Sequence, residues 1–179
     1  FDEPRVEAAF VAVPREGCLP PPPWRVFAPG GFARRTTSDP ADLHADVLVT
    51  LDARRGINNG QPSLHAAWMA AIAPQPGETV VQIGAGTGYY TAILAELVTP
   101  GGRVEAYEIE PDLATAATRN LAPWPQARIH AVSGTAALPQ ADIVYVAAGA
   151  AAPPLAWLEA LRPGGRLIFS FSNSPTSSI

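Results

Sequence analysis

A glycine-rich segment, Gly84-Ala85-Gly86-Thr87-Gly88, follows a short apolar run and precedes a stretch of helical composition. Glycines at the end of a strand let the chain turn sharply and let a ligand approach the backbone closely. The spacing is G-x-G-x-G, whereas a dinucleotide site has G-x-G-x-x-G and a P-loop ends in Gly-Lys-Ser/Thr, where this chain has Tyr89. The spacing therefore disfavours a nicotinamide dinucleotide and a nucleoside triphosphate.

An acidic residue, Glu108, lies twenty residues after Gly88, near the end of the next predicted strand. A carboxylate at this place can accept hydrogen bonds from both hydroxyls of a ribose. Glu110 is the competing candidate, because strand alternation puts both side chains on one face. Glu108 lies nearer to the end of the strand and is preferred. The glycine spacing and this acid together favour S-adenosylmethionine (SAM) as the cofactor, with S-adenosylhomocysteine (SAH) as its product.

A polar cluster precedes and enters a predicted helix, and its members are Asn58, Asn59, Gln61 and His65. One interpretation is a substrate lip that hydrogen-bonds a peptide or a carboxylate. The alternative is local turn chemistry, since Asn-Asn-Gly commonly forms turns. A carboxylate acceptor needs alignment and desolvation but no base, whereas an alcohol or amine acceptor would need one. His65 is the only histidine near the predicted site.

These residues must be positioned by strands and helices that alternate from residue 77 onward. We predict strands at 79–83, 103–109, 128–132, 142–148 and 166–171, and helices at 89–98, 111–121 and 154–161. This alternation is typical of an α/β, Rossmann-like doubly wound fold, with a mostly parallel sheet and helices on both faces.

The N-terminal part has a different character. We predict a helix at 4–13, an extended proline run at 20–23, a loop at 28–45, a short strand at 47–51, a polar turn at 56–62 and a helix at 63–73. We therefore divide the chain into a helical and proline-rich segment, residues 1–55, that packs on a SAM-binding domain, residues 56–179.

Composition excludes several classes of function. Hydrophobic residues make up 47% of the chain and charged residues 16%, which suits a packed core. The net charge of -4 gives no basic footprint for nucleic acid. The longest apolar run, 143–152, is too short to span a bilayer, and no cluster has metal-ligand spacing. A single cysteine and an N-terminus without signal character favour the cytoplasm. We expect no nucleic-acid partner, no membrane and no metal.

Several stretches resemble the class I SAM-dependent methyltransferases and, more narrowly, the protein-L-isoaspartate O-methyltransferases. They are residues 9–16 (AFVAVPRE), 56–66 (GINNGQPSLHA), 79–97 (TVVQIGAGTGYYTAILAEL), 104–121 (VEAYEIEPDLATAATRNL) and 142–168. The resemblance implies O-methylation of a carboxyl group on a peptide, a protein or a small molecule. Two alternatives remain: a SAM-binding accessory module without catalysis and, less favoured, an NAD-dependent oxidoreductase. The oligomeric state is not indicated.

The resemblance also implies roles for single residues. The loop glycines would lie against the methionine part of SAM, Glu108 would hold the ribose, and Ile109 would pack on the adenine. Ser133 and Gly134 follow the third predicted strand, where the class contacts the adenine edge. The expected cofactor-binding residues are thus Gly84, Ala85, Gly86, Thr87, Gly88, Tyr89, Glu108, Ile109, Ser133 and Gly134.

The chain departs from the family pattern at three places. The family has an acid two residues before the first loop glycine, where this chain has Gln82. Ser133-Gly134 stands in place of Asp-Gly. The family also carries a serine directly before Gln-Pro that helps to position the substrate carboxylate, and this chain has Gly60 there. The final antiparallel strands of the class are not seen, so we expect a shortened chain or an incomplete sheet.

Overall fold

The structure, a computed structural model, describes residues 3–28 and 34–171. Its centre is a five-stranded sheet in which every neighbouring pair is parallel and the order is β7-β6-β5-β8-β9. The strands are β5 (Thr79–Ile83), β6 (Arg103–Tyr107), β7 (Ala127–His130), β8 (Ala141–Ala150) and β9 (Leu161–Phe171). The predicted α/β, Rossmann-like architecture is confirmed.

Helices cover both faces of this sheet. The helices are α1 (Pro4–Ala12), α2 (Pro62–Ile72), α3 (Tyr89–Val98), α4 (Pro111–Asn120) and α5 (Leu155–Ala160). Val80 packs in the core cluster that includes residues of α1, α2 and α3, whereas its neighbour Val81 packs in the cluster that includes Trp157 of α5. Successive strand residues point to opposite faces, so β5 is apolar throughout because both faces are buried.

The sequence patterns located β5 and α3 to the residue and misplaced several other boundaries. Strand β6 ends at Tyr107, so Ile109 lies beyond the strand in which it was predicted. Strand β9 begins at Leu161 and not at residue 166, because its register against β8 shifts between Ala141 and Ile143 and takes in the segment Pro163-Gly164-Gly165. Bulges of this kind carry no periodic signal.

A second, antiparallel sheet of four strands in the order β2-β1-β3-β4 was missed in part. Its strands are β1 (Trp24–Phe27), β2 (Arg34–Thr37), β3 (Leu48–Asp52) and β4 (Ile57–Asn58). The prediction of a loop over residues 28–45 is wrong for β2 and for the 3-10 helix at Pro40–His44. Strand β2 reads Arg-Arg-Thr-Thr, and such a polar run lacks the alternation that indicates a strand. Residues 29–33 of that prediction lie outside the described residues.

The N-terminal segment is joined to the main sheet through its core. Val6 and Ala9 of α1 belong to the same buried cluster as Ile93 of α3. Strands β3 and β4 pair with each other across residue 55, where the sequence analysis divided the chain. The division into two units stays a prediction.

Across the described residues, no helix is both long enough and apolar enough to cross a membrane.

Candidate functional site

The candidate site lies where the order of the parallel strands reverses. The chain leaves β5 for β6 on one side and later returns to β8 on the other. A crevice opens at the carboxyl ends of strands at such a switch point, and ligands of open α/β sheets bind there. The segment Gly84–Gly88 follows β5 at this place, so the fold itself brings the glycine loop to the crevice.

The backbone of this loop is committed to internal hydrogen bonds. The N–H groups of Gly84 and Ala85 donate to the carbonyl of Tyr107 at 2.9 and 3.1 Å, and the N–H of Gly88 donates to the carbonyl of Ala85 at 3.0 Å. A pyrophosphate is bound through free N–H donors at such a turn. The loop therefore offers close approach to a ligand but few donors, which argues against a dinucleotide.

Gly88 has a packing role within the loop. Its φ is +92°, and an added Cβ would stand 3.1 Å from the Cγ of Leu121, just beyond α4. This position adopts the left-handed conformation, and a side chain here would also press against Leu121. Gly88 thus sets how closely the loop approaches α4.

Glu108 is the best-positioned acid of the site. Its Oε2 accepts from the N–H of Gly86 at 2.7 Å, and its Oε1 accepts from the N–H of Glu110 at 3.0 Å. A carboxylate has about four lone-pair sites, so about two remain for a ligand. Only 6% of the residue is exposed, and this burial raises the pKa of Glu108 above its ordinary value, with backbone N–H donors, chiefly those of Glu110 and Gly86, opposing the rise.

Glu110, the competing acid, is occupied elsewhere. It forms an ion pair with Arg55, which also bonds Asp52 and Asp112 at 2.8 and 2.9 Å. Arg55 therefore connects the turn after β3 to the start of α4. The sequence analysis missed this role, because the partners of Arg55 in α4 are 57 residues away in the chain.

Two buried polar side chains beside the loop have no partner within the described chain. They are the amide of Gln82, which precedes the loop in β5, and the hydroxyl of Thr87 inside it. Buried polar groups are normally hydrogen-bonded, and unpaired ones at a cleft call for a ligand or water. A polar cofactor with amino, carboxylate and hydroxyl groups fits these donors and acceptors. Gln82 was noted in the sequence only as a departure, although a polar residue in an apolar strand is itself a signal.

The residues expected at the adenine differ in exposure. Ile109 is 44% exposed, so it presents an apolar surface next to Glu108. Ser133 forms a local turn, in which its hydroxyl lies 2.9 Å from that of Thr135. Gly134 packs tightly, because an added Cβ would stand 2.4 Å from the Cδ1 of Ile83. The chain thus brings Ile109 and the 133–134 turn to the same edge of the sheet as the glycine loop.

Three of the four lip candidates make structural hydrogen bonds. The side chain of Asn58 accepts from the N–H of Gly60 at 2.9 Å, which is the turn chemistry considered for it. Asn59 is buried and accepts from Arg15. Gln61 donates to Asp46 at 2.6 Å, and Asp46 in turn caps α2 by accepting from the N–H of Ser63 at 2.9 Å.

Arg15 holds this lip in place. Its guanidinium is buried and donates to Asn59 Oδ1 at 3.1 Å and to the carbonyls of Leu43, Val47 and Gly60 at 3.0, 2.9 and 3.0 Å. Burial lowers the pKa of Arg15. The sequence analysis did not assign this role, because the contacts join residues 28 to 45 positions apart.

His65 is the lip candidate whose chemistry stays open. Its Nδ1 lies 2.5 Å from the hydroxyl of Tyr145, and its ring stacks on Tyr90 with centroids 3.6 Å apart. Desolvation by burial and then the positive charge of Arg15 lower the pKa of His65 to about 3. The imidazole is therefore neutral. Both tyrosines that open α3 are buried, and the ring of Tyr89 packs edge-on against that of Phe10.

A family model described as protein-L-isoaspartate(D-aspartate) O-methyltransferase matches residues 36–176, which is most of the 179-residue chain. The chain belongs to this family. A protein-L-isoaspartate O-methyltransferase of Aeropyrum pernix is 43% identical over 122 residues, and one of Rhodopseudomonas palustris is 33% identical over 171 residues.

The match to these isoaspartyl methyltransferases is partial in length. It covers 63% of this chain and 47% of the Aeropyrum protein, and 93% of this chain and 69% of the Rhodopseudomonas protein. The chain therefore spans about half the length of the Aeropyrum relative and 61% of a relative from Methanopyrus kandleri.

Solved structures of the family share the fold. A structure titled protein-L-isoaspartate O-methyltransferase superposes with a TM-score of 0.78 at 24% identity, covering 93% of this chain and 50% of that chain. A putative family member from Plasmodium falciparum, in complex with SAH, gives a TM-score of 0.76 at 17% identity, covering 98% of this chain and 79% of that chain. The predicted family and fold are confirmed, and the oxidoreductase and accessory-module alternatives gain no support.

Proposed function

We propose that this chain binds SAM at the glycine loop and methylates a carboxyl group of a peptide or protein. The observation that carries the proposal is Glu108, whose carboxylate is oriented by the N–H of Gly86 and keeps about two lone-pair sites for ribose hydroxyls. The unpaired amide of Gln82 and hydroxyl of Thr87 support a polar ligand beside them.

The residues proposed to hold the cofactor surround this carboxylate. The glycine loop allows the methionine part to approach the backbone, and Ile109 provides an apolar surface for the adenine. The residues proposed to bind the cofactor are the ten expected from the sequence (Gly84, Ala85, Gly86, Thr87, Gly88, Tyr89, Glu108, Ile109, Ser133 and Gly134), with Gln82 added. When bound, SAM supplies a methyl group that a carboxylate oxygen takes with its own lone pair, while the carbon–sulfur bond breaks and leaves SAH.

The chain's own contribution to the acceptor is alignment and exclusion of water. A carboxylate is already a nucleophile, so no base is needed, and the neutral His65 suits this chemistry. Asn58, Asn59, Gln61 and His65 form the proposed lip. A reducing compartment such as the cytoplasm is proposed as the setting, with support from the single, free and buried Cys18.

The cofactor is tested first, by calorimetry of the protein with SAH, SAM and NAD. We expect SAH and SAM to bind and NAD not to bind. The absence of SAM and SAH binding at millimolar concentration would remove the proposal.

The reaction is tested next, with methyl-labelled SAM and a peptide that contains isoaspartate. We expect a base-labile methyl ester, and the same peptide with ordinary aspartate is the control. If the protein binds SAH but forms no ester on the isoaspartyl peptide, the proposed activity is overturned. The chain would then be a SAM-binding accessory module.

A further inference from the structure

The imidazole of His65 occupies the space that a side chain at Gly60 would take. Gly60 has φ +61°, and a Cβ built on it would lie 2.4 Å from Nε2 of His65 and 3.1 Å from the ring of Tyr90. The contact with Nε2 is too short for any real Cβ. The polar group that the lip presents at this position is therefore the Nε2 edge of His65.

The other ring nitrogen fixes which tautomer is present. Nδ1 of His65 lies 2.5 Å from the hydroxyl of Tyr145, and no other acceptor for that hydroxyl is found in the described chain. If Nδ1 carried the proton, the buried hydroxyl would have no acceptor, which costs free energy. The hydroxyl of Tyr145 therefore donates to Nδ1, and the proton of the neutral ring lies on Nε2.

The ring cannot turn away from this arrangement easily. It is 4% exposed, it stacks on Tyr90 at 3.6 Å, and it meets Trp68 at 5.5 Å between centroids. No hydrogen bond to Nε2 is made within the part of the chain that the structure describes. Nε2–H is thus a fixed donor without an acceptor among the described residues, beside Gly60 and beside Tyr90 at the start of α3.

We propose that Nε2–H of His65 donates a hydrogen bond to the carboxylate that receives the methyl group. The imidazole then positions this carboxylate beside Gly60, which has no side chain to do so. This inference rests on the proposed function and deepens it. One neutral donor can hold one carboxylate oxygen and leave the lone pairs of the other oxygen for the new bond. Tyr145 is then a positioning residue, since it acts only through the tautomer of His65.

The test uses two variants that differ in the donor. His65→Gln keeps an N–H donor on a side chain of similar reach, and His65→Leu keeps the bulk without a donor. The dissociation constant of the isoaspartyl peptide is measured by calorimetry with SAH present, and kcat/KM is measured with SAM. Because a hydrogen bond to a charged group is lost, we expect His65→Leu to raise the peptide dissociation constant and to lower kcat/KM, each by about 10- to 100-fold. For His65→Gln we expect both values to stay within about fivefold of those of the unaltered protein. This change is smaller than the one expected when a full hydrogen bond is lost.

Controls separate this role from a structural one. The SAH dissociation constant and the thermal midpoint of His65→Leu are measured beside the peptide affinity, and SAH binding should be unchanged. Peptide binding by a folded His65→Leu that equals that of the unaltered protein would overturn the inference. If the unaltered protein makes no ester, the proposed function fails, and ester formation that His65→Leu leaves unchanged overturns this inference alone.

A measurement on the unaltered protein does not depend on the variants. Long-range proton–nitrogen NMR correlations show which ring nitrogen carries the proton. We expect the proton on Nε2, and a shift of that signal when isoaspartyl peptide is added with SAH. A proton on Nδ1 would overturn the inference, and so would an Nε2 signal that does not move at peptide saturation. Tyr145→Phe should move part of the proton population to Nδ1 and reduce kcat/KM.

Discussion

At the scale of single residues, the two acids after β6 have opposite surroundings. Glu108 is buried and receives backbone N–H groups, and one of them comes from the glycine loop. Glu110 faces outward and pairs with Arg55. Strand alternation put both acids on one face and could not separate them. Their different partners come from the turn between β6 and α4, which follows the end of the strand at Tyr107.

Replacement of each acid by alanine should therefore have unequal effects on cofactor affinity. Glu108→Ala removes a buried charged acceptor, and we expect SAH affinity to fall by about 1–3 kcal/mol. Glu110→Ala removes a solvent-facing partner of Arg55, and we expect SAH affinity to change by less than about fivefold. Calorimetry with SAH decides between them. A larger loss in Glu110→Ala than in Glu108→Ala would assign the ribose to Glu110.

The raised pKa of Glu108 predicts how cofactor binding depends on pH. Burial raises this pKa, so the carboxylate becomes protonated at a higher pH than an ordinary glutamate, whose pKa is about 4.3. In the proposed site the ionised form accepts both ribose hydroxyls, so we expect SAH affinity to fall as the pH drops through that raised pKa. The measurement is the SAH dissociation constant from neutral pH downward. Glu108→Gln is the control, and it should bind more weakly and lose this pH dependence; a profile that persists in it would point to another group.

At the scale of elements, the lip is held by a side chain from the segment between α1 and β1. Arg15 donates to three backbone carbonyls and to Asn59, and no carboxylate hydrogen-bonds it within the described chain. Its removal leaves several buried acceptors without a donor, which is among the costly changes in a folded protein.

We expect Arg15→Ala to lower the free energy of unfolding by about 2–4 kcal/mol. Arg25→Ala is the matched control, because Arg25 is exposed on β1, and we expect a change within about 0.5 kcal/mol. Urea denaturation measures both. Equal stability of the two variants would show that water replaces the guanidinium without cost.

The elements also show what the sequence could predict. Strand β5 and helix α3 were placed correctly because an apolar run, a glycine loop and an apolar helix have strong local signals. Strand β2 was missed because its polar residues gain their strand conformation only by pairing with β1. The glycine loop and Glu108 could be found from spacing, whereas the contact between Gly60 and His65 depends on a positive φ that the sequence does not display.

At the scale of the whole molecule, Arg55 connects the antiparallel sheet to helix α4, which packs on the parallel sheet. Its three carboxylate partners come from β3 and from the start of α4. These groups are exposed to solvent, so salt screens their attraction.

We expect Arg55→Gln to loosen the turn after β3 without unfolding the protein. Limited digestion with trypsin should then cut after Arg54 faster than in the unaltered protein, and high salt should speed that cut in the unaltered protein. Arg35→Gln is the control, since Arg35 pairs with Asp42 and forms no ion pair with Asp52, Glu110 or Asp112. Unchanged cutting after Arg54 in Arg55→Gln would show that β4 alone orders the turn.

The long-range contacts of Arg15 and Arg55 have a consequence for the order of assembly. Arg15 reaches 44 residues along the chain to Asn59, and Arg55 reaches 57 residues to Asp112. Contacts over such separations form only after the entropy of loop closure has been overcome. The parallel sheet closes over an even longer separation, from Val80 in β5 to Ile143 in β8, so we expect the lip and the sheet to become ordered together, and cofactor binding and acceptor binding to appear in the same phase of refolding.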